Sequence, residues 1–301
     1  MQPTPILVER RFPLDLARSI GAIRELYEAA KASRWDPERD VPWAAFDRAA
    51  HGAAALEAAR RVWSRRAWIE YTGLAETPAL IIRFCLEPGR EADPKYFLTV
   101  RNTEEAWHVE SFHRMAQACG GYLDRPADAA WEAVINQTLY RQALDADRSL
   151  DEYLAVHCAV EDGLELALYE AYLGNAREAV ARALLERVTA DKRRHAEFGW
   201  LYLAARALQL DAAQRQAAAR AVAAWIEHVA LAGYHVPSLS TRIDSLPDAA
   251  DAAAAAEAGL GAVTAAEEEE VFAAYLGRAR LRLAELGIEV PPLAHPRLGA
   301  L

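Results

Sequence analysis

Cysteine is scarce in this chain: Cys85, Cys119 and Cys158 are the only three in 301 residues, and no two of them form a C-x-x-C pair. Neither a disulfide framework nor a thiolate zinc site is signalled, and a reduced, cytoplasmic setting fits best. Long apolar runs are missing as well. No stretch approaches the roughly 20 apolar residues that span a bilayer, and Met1 to Pro13 holds no apolar run of signal-peptide length, so neither membrane insertion nor secretion is expected. Positive charge is the minority sign, with 34 Lys and Arg against 44 Asp and Glu, a formal charge of −10, and the basic residues scattered among acids. Such a surface repels phosphate backbones, which excludes nucleic acid as the expected partner. Runs of β-branched residues are almost absent, and no repeat of solenoid period is present.

What is present is helix-forming residue, mainly Ala, Leu, Arg and Glu, with apolar positions recurring every three or four residues. At 53% hydrophobic the chain can bury a large core, and one helical domain spanning 1–301 is the economical reading, with a core bundle at about 53–208 and peripheral helices at 211–286. The prolines and aspartates between Trp35 and Trp43 predict a structured turn after a helix that ends near Ala32. A long helical region follows from Ala53 to Leu86, with a break expected at Gly73 or Pro78. A second helix is expected from Pro94 to Gly120-Gly121, a third from Leu150 to Leu173, and a fourth from Ala176 to Leu208. Asp211 caps a fifth that continues to Ala232. Beyond Pro237 come an Ala-rich stretch, a helix from Ala266 to Leu286 and a Pro-rich end. The acidic run Glu267 to Glu270 reads as the solvated first turn of that last helix, where carboxylates favour the dipole.

Three of these helices carry acid or imidazole on their apolar faces. On the second, Leu98, Val109, Phe112 and Ala116 lie within about 40° of Glu105 in projection, and His108 is three residues on, so both side chains can point at one ion. The neighbouring pair Glu110 and His113 falls on the flank and reads as surface. On the third, Glu161 is in phase with Leu154, Leu164, Leu168 and Tyr172, with His157 one turn before and Glu165 one turn after. On the fourth, Asp191 and His195 align with Leu184, Val188, Phe198 and Tyr202. The first long helix offers Glu70, in phase with Leu56, Trp63, Leu74 and Ile81, and also Glu76. A charge on a buried face costs several kcal/mol unless it is paired, hydrogen-bonded or bound to metal. A Glu from each of two helices with a Glu-x-x-His from each of two others is how helical bundles build a di-metal carboxylate site, and oxygen and imidazole ligands suit iron or manganese. His157, Trp107 and Trp200 read as core residues or supports, and Arg193 and Arg194 as a solvated face.

The stretch Glu104-Glu105-Ala106-Trp107-His108-Val109-Glu110, with Phe112, resembles the Asp-Glu-Ala-Arg-His-Val-Glu helix of ferritin-like di-iron carboxylate proteins, relatives of the ribonucleotide reductase small subunit and of bacterial multicomponent monooxygenases. Asp191 to His195, followed by Phe198-Gly199 and Tyr202-Leu203, looks like their second such helix. The segment from Tyr27 through Trp35-Asp36 to Asp40-Val41-Pro42-Trp43 is similar to one that precedes the bundle in some of them. The likeness covers about residues 25 to 205. It implies an all-α four-helix bundle and an O₂-activating oxidase or monooxygenase with di-iron, mono-iron or Mn/Fe, a small-molecule substrate, an external electron donor and pairing as a homodimer. Its motifs imply His108 and His195 as terminal ligands and Glu105 and Glu161 as bridging or labile carboxylates, these four carrying the catalysis. Asp191 is a further ligand or the group that orients an imidazole. The resemblance favours Glu76 over Glu70, since Ala79-Leu80 follows it, and Glu161 over Glu165; both choices stay open.

One position departs from the pattern: Lys192 stands where the family has Glu three residues before the second His. An ammonium cannot ligate a cation, so the fourth helix uses Asp191, or binds one metal only, or carries Lys192 as a counter-charge in place of metal. The Asp-x-x-x-His spacing also resembles the haem-oxygenase-like di-iron oxidases, a different helical fold, and spacing alone does not separate the two. The sequence expectation is a non-haem di-iron oxygenase that hydroxylates, desaturates or N-oxygenates a small organic molecule. Its rival is a metal-free or degenerate ferritin-like binding or structural protein in which Lys192 pairs with Glu105 and Glu161.

Overall fold

The computed structural model describes residues 16–136, 142–145 and 147–301, so the stretch Met1 to Pro13 lies outside it. Nearly everything described is helix. Helix α1 is Gly21–Ala32, α2 is Ala53–Leu86, α3 is Ala92–Cys119 and α4 is the short Ala129–Ile135. Helix α5 is continuous but changes pitch: an α-helical turn Leu150–Tyr153, a π-helical stretch Leu154–Glu161, then α-helix Asp162–Asn175. Helices α6 (Ala179–Ala207), α7 (Ala212–His228), α8 (Leu246–Glu257) and α9 (Ala265–Glu285) follow, and Ala294–His295 pairs antiparallel with Gly299–Ala300 at the end.

Short connections force antiparallel neighbours. Helices α2 and α3 pack along their lengths, as do α5 and α6, and in the chain the two pairs are separated by the long connection between Cys119 and Leu150. Two antiparallel pairs with one long crossover make the ferritin-like arrangement, which separates this fold from the haem-oxygenase-like alternative. One apolar cluster runs from Trp63, Phe112 and Met115 through Leu184 to the C-terminal helices, and a second gathers Ile23, Phe84, Phe97, Phe198 and Tyr202. Between them lies a belt of buried charge.

The break expected at Gly73 or Pro78 does not occur, since α2 continues through both. Proline removes one helical hydrogen bond, but Glu76, Thr77, Ala79, Leu80 and Phe84 around it are all buried, and tertiary packing overrides local propensity. Gly73 has another use. A Cβ there would sit 2.9 Å from Glu105 Cδ, so its bare backbone makes room for that carboxylate. The Ala-rich stretch forms α8, anchored to α2 by Asp251 on Arg61 and to α4 by Asp248 on Trp131. In the acidic first turn of α9, Thr264 and Glu267 form a reciprocal cap, but Glu268 is buried instead of solvated, where it accepts a hydrogen bond from Tyr172.

Candidate metal centre

Helix α3 places Arg101, Glu104, Glu105 and His108 in the belt; α6 places Asp191, Lys192, Arg194 and His195; α2 supplies Glu70 and Glu76; α5 supplies His157, Glu161, Asp162 and Glu165. All but Arg194 are buried, His108 and His195 completely. The surface assignment of Glu110 and His113 holds, as both are exposed.

The two imidazoles are held alike. His108 Nε2 lies 3.0 Å from Asp191 Oδ2, which also accepts from the indole of Trp35 at 2.8 Å. His195 Nε2 lies 2.8 Å from Glu104 Oε2. Arg194 joins the two outer carboxylates, donating to Glu104 Oε1 at 2.6 Å and to Asp191 Oδ1. Each ring thus has its Nε2 anchored on a carboxylate and its Nδ1 left to face inward. His108 Nδ1 is 2.8 Å from Glu70 Oε1, whereas His195 Nδ1 is buried with no partner. Burial lowers the His108 pKa, but Glu70 and Asp191 outweigh it and lift the ring to about 9. Burial and then the charges of Arg101, Lys192, His108 and Arg194 all push His195 down, so its ring is neutral with a free lone pair.

The carboxylates divide among three sets of partners. Glu105 Oε1 accepts from Arg101 at 2.9 Å and from Thr77 at 3.0 Å, while its Oε2 is buried and unpartnered. Arg101 also forks onto Asp162 at 2.6 and 3.0 Å. Glu70 and Glu165 share the ammonium of Lys192, at 2.7 and 2.6 Å. Glu161 is hydrogen-bonded to His157 through one oxygen and to His235 Nε2 through the other at 2.9 Å, and Glu76 accepts from Tyr153. Hydrogen bonds therefore join Glu70, His108, Asp191 and His195 in one network through Arg194 and Glu104, while Glu105 sits beside it with Arg101, Thr77 and Asp162, and Glu76 and Glu161 belong to a further network with Tyr153, His157 and His235. Lys192 pairs with Glu70 and Glu165, where the sequence expectation had Glu105 and Glu161.

A cavity of about 30 Å³ sits between the networks, lined by Glu70, Glu76, Glu105, Glu161, Glu165 and Lys192. A second cavity of about 610 Å³, walled mainly by apolar and aromatic side chains such as Trp131, Leu168, Tyr169 and Tyr172, reaches the belt at Glu165 and His235. Buried polar atoms without partners are rare in native proteins and call for an explanation. A neutral imidazole nitrogen and a carboxylate oxygen, both inside the belt and both open, are the donors that iron or manganese takes. As the side chains stand, no three His, Cys, Asp or Glu groups among the described residues converge as a ready cage. Arg101 and Lys192 hold several of the carboxylates instead. The donor types fit a metal ion, and the cations that share the belt limit how many carboxylates are free for it.

Sequence reasoning missed four members of this centre. Glu104 and Arg101 lie on the same helix as Glu105, and Arg101 is one turn before it on the apolar face, a signal that helical phase carries. Asp162 adjoins Glu161 and was overlooked beside it. His235 comes from the turn after α7, where no periodicity points inward. Arg194, read as a solvated group, is instead turned onto Glu104 and Asp191, while Arg193 is exposed and pairs with Glu170. Tyr202 is bonded to Arg90 and Tyr172 to Glu268, so neither hydroxyl is spent on the two networks.

Fold and buried donors together define the class: a ferritin-like bundle with a carboxylate and imidazole core. Solved structures of the same fold are R2-like ligand-binding oxidases. A point variant with an aerobically reconstituted Mn/Fe cofactor aligns over 87% of this chain and 93% of its own at 18% identity, TM-score 0.64. The protein with its metal cofactor after photoconversion aligns over 86% and 92% at 17% identity, TM-score 0.65. A variant with an Fe/Fe cofactor aligns over 87% and 92% at 19% identity, TM-score 0.61. No protein-family model matches the chain, and no curated protein does.

Proposed function

We propose that this chain is an O₂-activating non-haem metal oxidase or oxygenase that hydroxylates, desaturates or N-oxygenates a small organic molecule. The carrying observation is the pair of carboxylate-anchored imidazoles on α3 and α6, with the open His195 Nδ1 between them and the acids of α2 and α5. The metal reading also draws support from the Mn/Fe and Fe/Fe cofactors of the R2-like oxidases that share the fold. Glu70, Glu105, His108 and His195 would hold iron, alone or with manganese, with Glu161 and Glu76 in reserve one turn away and Asp191 fixing the His108 ring. The bound metal would supply O₂ reduction, with electrons from an external donor.

The remaining work falls to the chain. Glu104 fixes the His195 tautomer by accepting from Nε2, so that its Nδ1 is presented as a lone pair, whereas at His108 Asp191 accepts from Nε2 and the Nδ1 proton shared with Glu70 would have to be displaced for the ring to ligate a metal ion. The apolar walls of the larger cavity exclude water and hold the substrate, whose reacting end meets the belt at Glu165 and His235. Arg66 is buried in that wall, stacked 4.0 Å from the Tyr172 ring centre and 4.5 Å from that of Trp63, with its Nη1 unpartnered. It gives a substrate carboxylate a place to bind. Homodimer formation and a cytoplasmic location complete the proposal.

The test is metal content after anaerobic loading with Fe(II), followed by the optical spectrum on adding O₂. Bound iron and a transient charge-transfer band are expected, and His108→Ala should lose the iron while staying helical. Stoichiometric iron retained by that variant would sink the ligand assignment. A second reading, a metal-free binding protein, draws its support from the ion pairs of Lys192 with Glu70 and Glu165. Protein that takes up no iron under these conditions would establish it.

A further inference from the structure

We infer that Lys192 is a permanent internal cation standing in for a second metal ion, and that the centre accepts one ion, not two. The inference rests on the metal reading above. Lys192 Nζ is 2.7 Å from Glu70 Oε2 and 2.6 Å from Glu165 Oε2, and it lies 5.7 Å from the Tyr169 ring centre. The side chain is only 4% exposed, so its charge is kept by those two carboxylates and not by water. Removing either partner would strand a buried charge, which is among the most destabilising changes a protein can suffer. The ammonium is therefore as fixed a part of the belt as a structural ion.

The donors left over are those of a single site. A second ion would need carboxylates from α5 and α6. On α6, Asp191 is used by His108, Trp35 and Arg194, and Lys192 has no lone pair to give. On α5, Glu165 is held by Lys192, Glu161 by His157 and His235, and Asp162 by Arg101. The atoms that remain open are Glu105 Oε2 and His195 Nδ1; counted with His108 and Glu70 they are donors enough for one ion and too few for two, and the side chains would still have to converge to hold it. Space agrees with this. The polar cavity of about 30 Å³ lined by Lys192 holds roughly one water. A divalent ion placed in it would face the ammonium at short range in a medium that screens poorly.

Manganese is a direct reporter, because an isolated Mn(II) and an exchange-coupled pair give different electron paramagnetic resonance signals. The wild-type chain, loaded anaerobically with excess Mn(II) and desalted, should retain about one Mn per chain by mass spectrometry and show the hyperfine-split signal of an isolated ion. Lys192→Glu restores an oxygen ligand and removes the ammonium, so its content should rise to about two with a coupled signal. Two Mn in the wild type, or a coupled signal there, would overturn the inference while leaving the metal reading intact. No Mn in the wild type but two in Lys192→Glu would also overturn it, by showing that Lys192 blocks the whole centre. No metal in either protein would overturn the metal reading itself. The wild-type measurement stands alone should Lys192→Glu fail to fold.

Discussion

Single residues in this protein answer to charge more than to shape. Glu268 illustrates the point away from the metal centre. Burial lifts its carboxyl to about 7, against the hydrogen bond from Tyr172 and the nearby charges of Arg66 and Arg65. The unfolded chain releases this proton near 4.5. Between the two values the folded state keeps a proton that the unfolded state has lost, so stability from this group falls as pH rises through that window. Glu268→Gln keeps an acceptor for Tyr172 and removes the titration. Its stability relative to wild type should therefore improve on going from pH 4.5 to pH 7.5, by on the order of 2 kcal/mol. Urea unfolding of both proteins at the two pH values reads this directly, and equal pH slopes would show that Glu268 is hydrated. Residues of this kind were only partly legible beforehand. Helical phase put Glu70, Glu105, Glu161, Asp191 and His195 on apolar faces, and all are buried. It could not say which carboxylate each cation takes, because Lys192 is free to choose Glu70 and Glu165 from side-chain reach alone.

At the scale of the element, the helices were readable and their pitch was not. Periodicity and end signals placed α2, α3, α6, α7 and α9 to within a few residues, with Gly120 ending α3 and Asp211 capping α7. Nothing in Leu154–Glu161 announces a π-helix, whose extra residue per turn arises from what it packs against. What it meets is Gly199 of α6. An added Cβ there would fall 1.6 Å from the carbonyl oxygen of Cys158, so the two helices touch backbone to backbone. This contact positions His157 and Glu161 on one side and His195, one turn before Gly199, on the other. Gly199→Ala would force α5 and α6 apart and should cost about 3 kcal/mol or more, the upper end of overpacking in a core. Thermal unfolding should drop by several degrees, and an unchanged midpoint would mean that the approach is looser than described. Trp200, the next residue, is buried under Arg282 of α9 and serves as a control site: Trp200→Phe should leave the pitch of α5 intact.

For the whole molecule, the question is how a bundle stays folded around so many buried acids before any metal arrives. The belt carries its own counter-charges: Lys192 between Glu70 and Glu165, Arg101 between Glu105 and Asp162, and Arg194 between Glu104 and Asp191. Each carboxylate so paired escapes the penalty of an isolated buried ion. The chelated protein should therefore keep its helical circular dichroism and a cooperative thermal transition, unlike small metal-dependent domains that unfold without their ion. Metal then adds stability only by mass action, about 2.7 kcal/mol when the free ion is at a hundred times its dissociation constant. That gain should appear as a rise of several degrees in the wild-type midpoint. His195→Ala gives up the imidazole whose inner nitrogen has no other partner; the cavity and the lost bond to Glu104 should lower its metal-free midpoint, and added metal should no longer raise it. Collapse of the dichroism on chelation would show that the three cations do not balance the belt, and a rise that persists in His195→Ala would place the ion elsewhere in it.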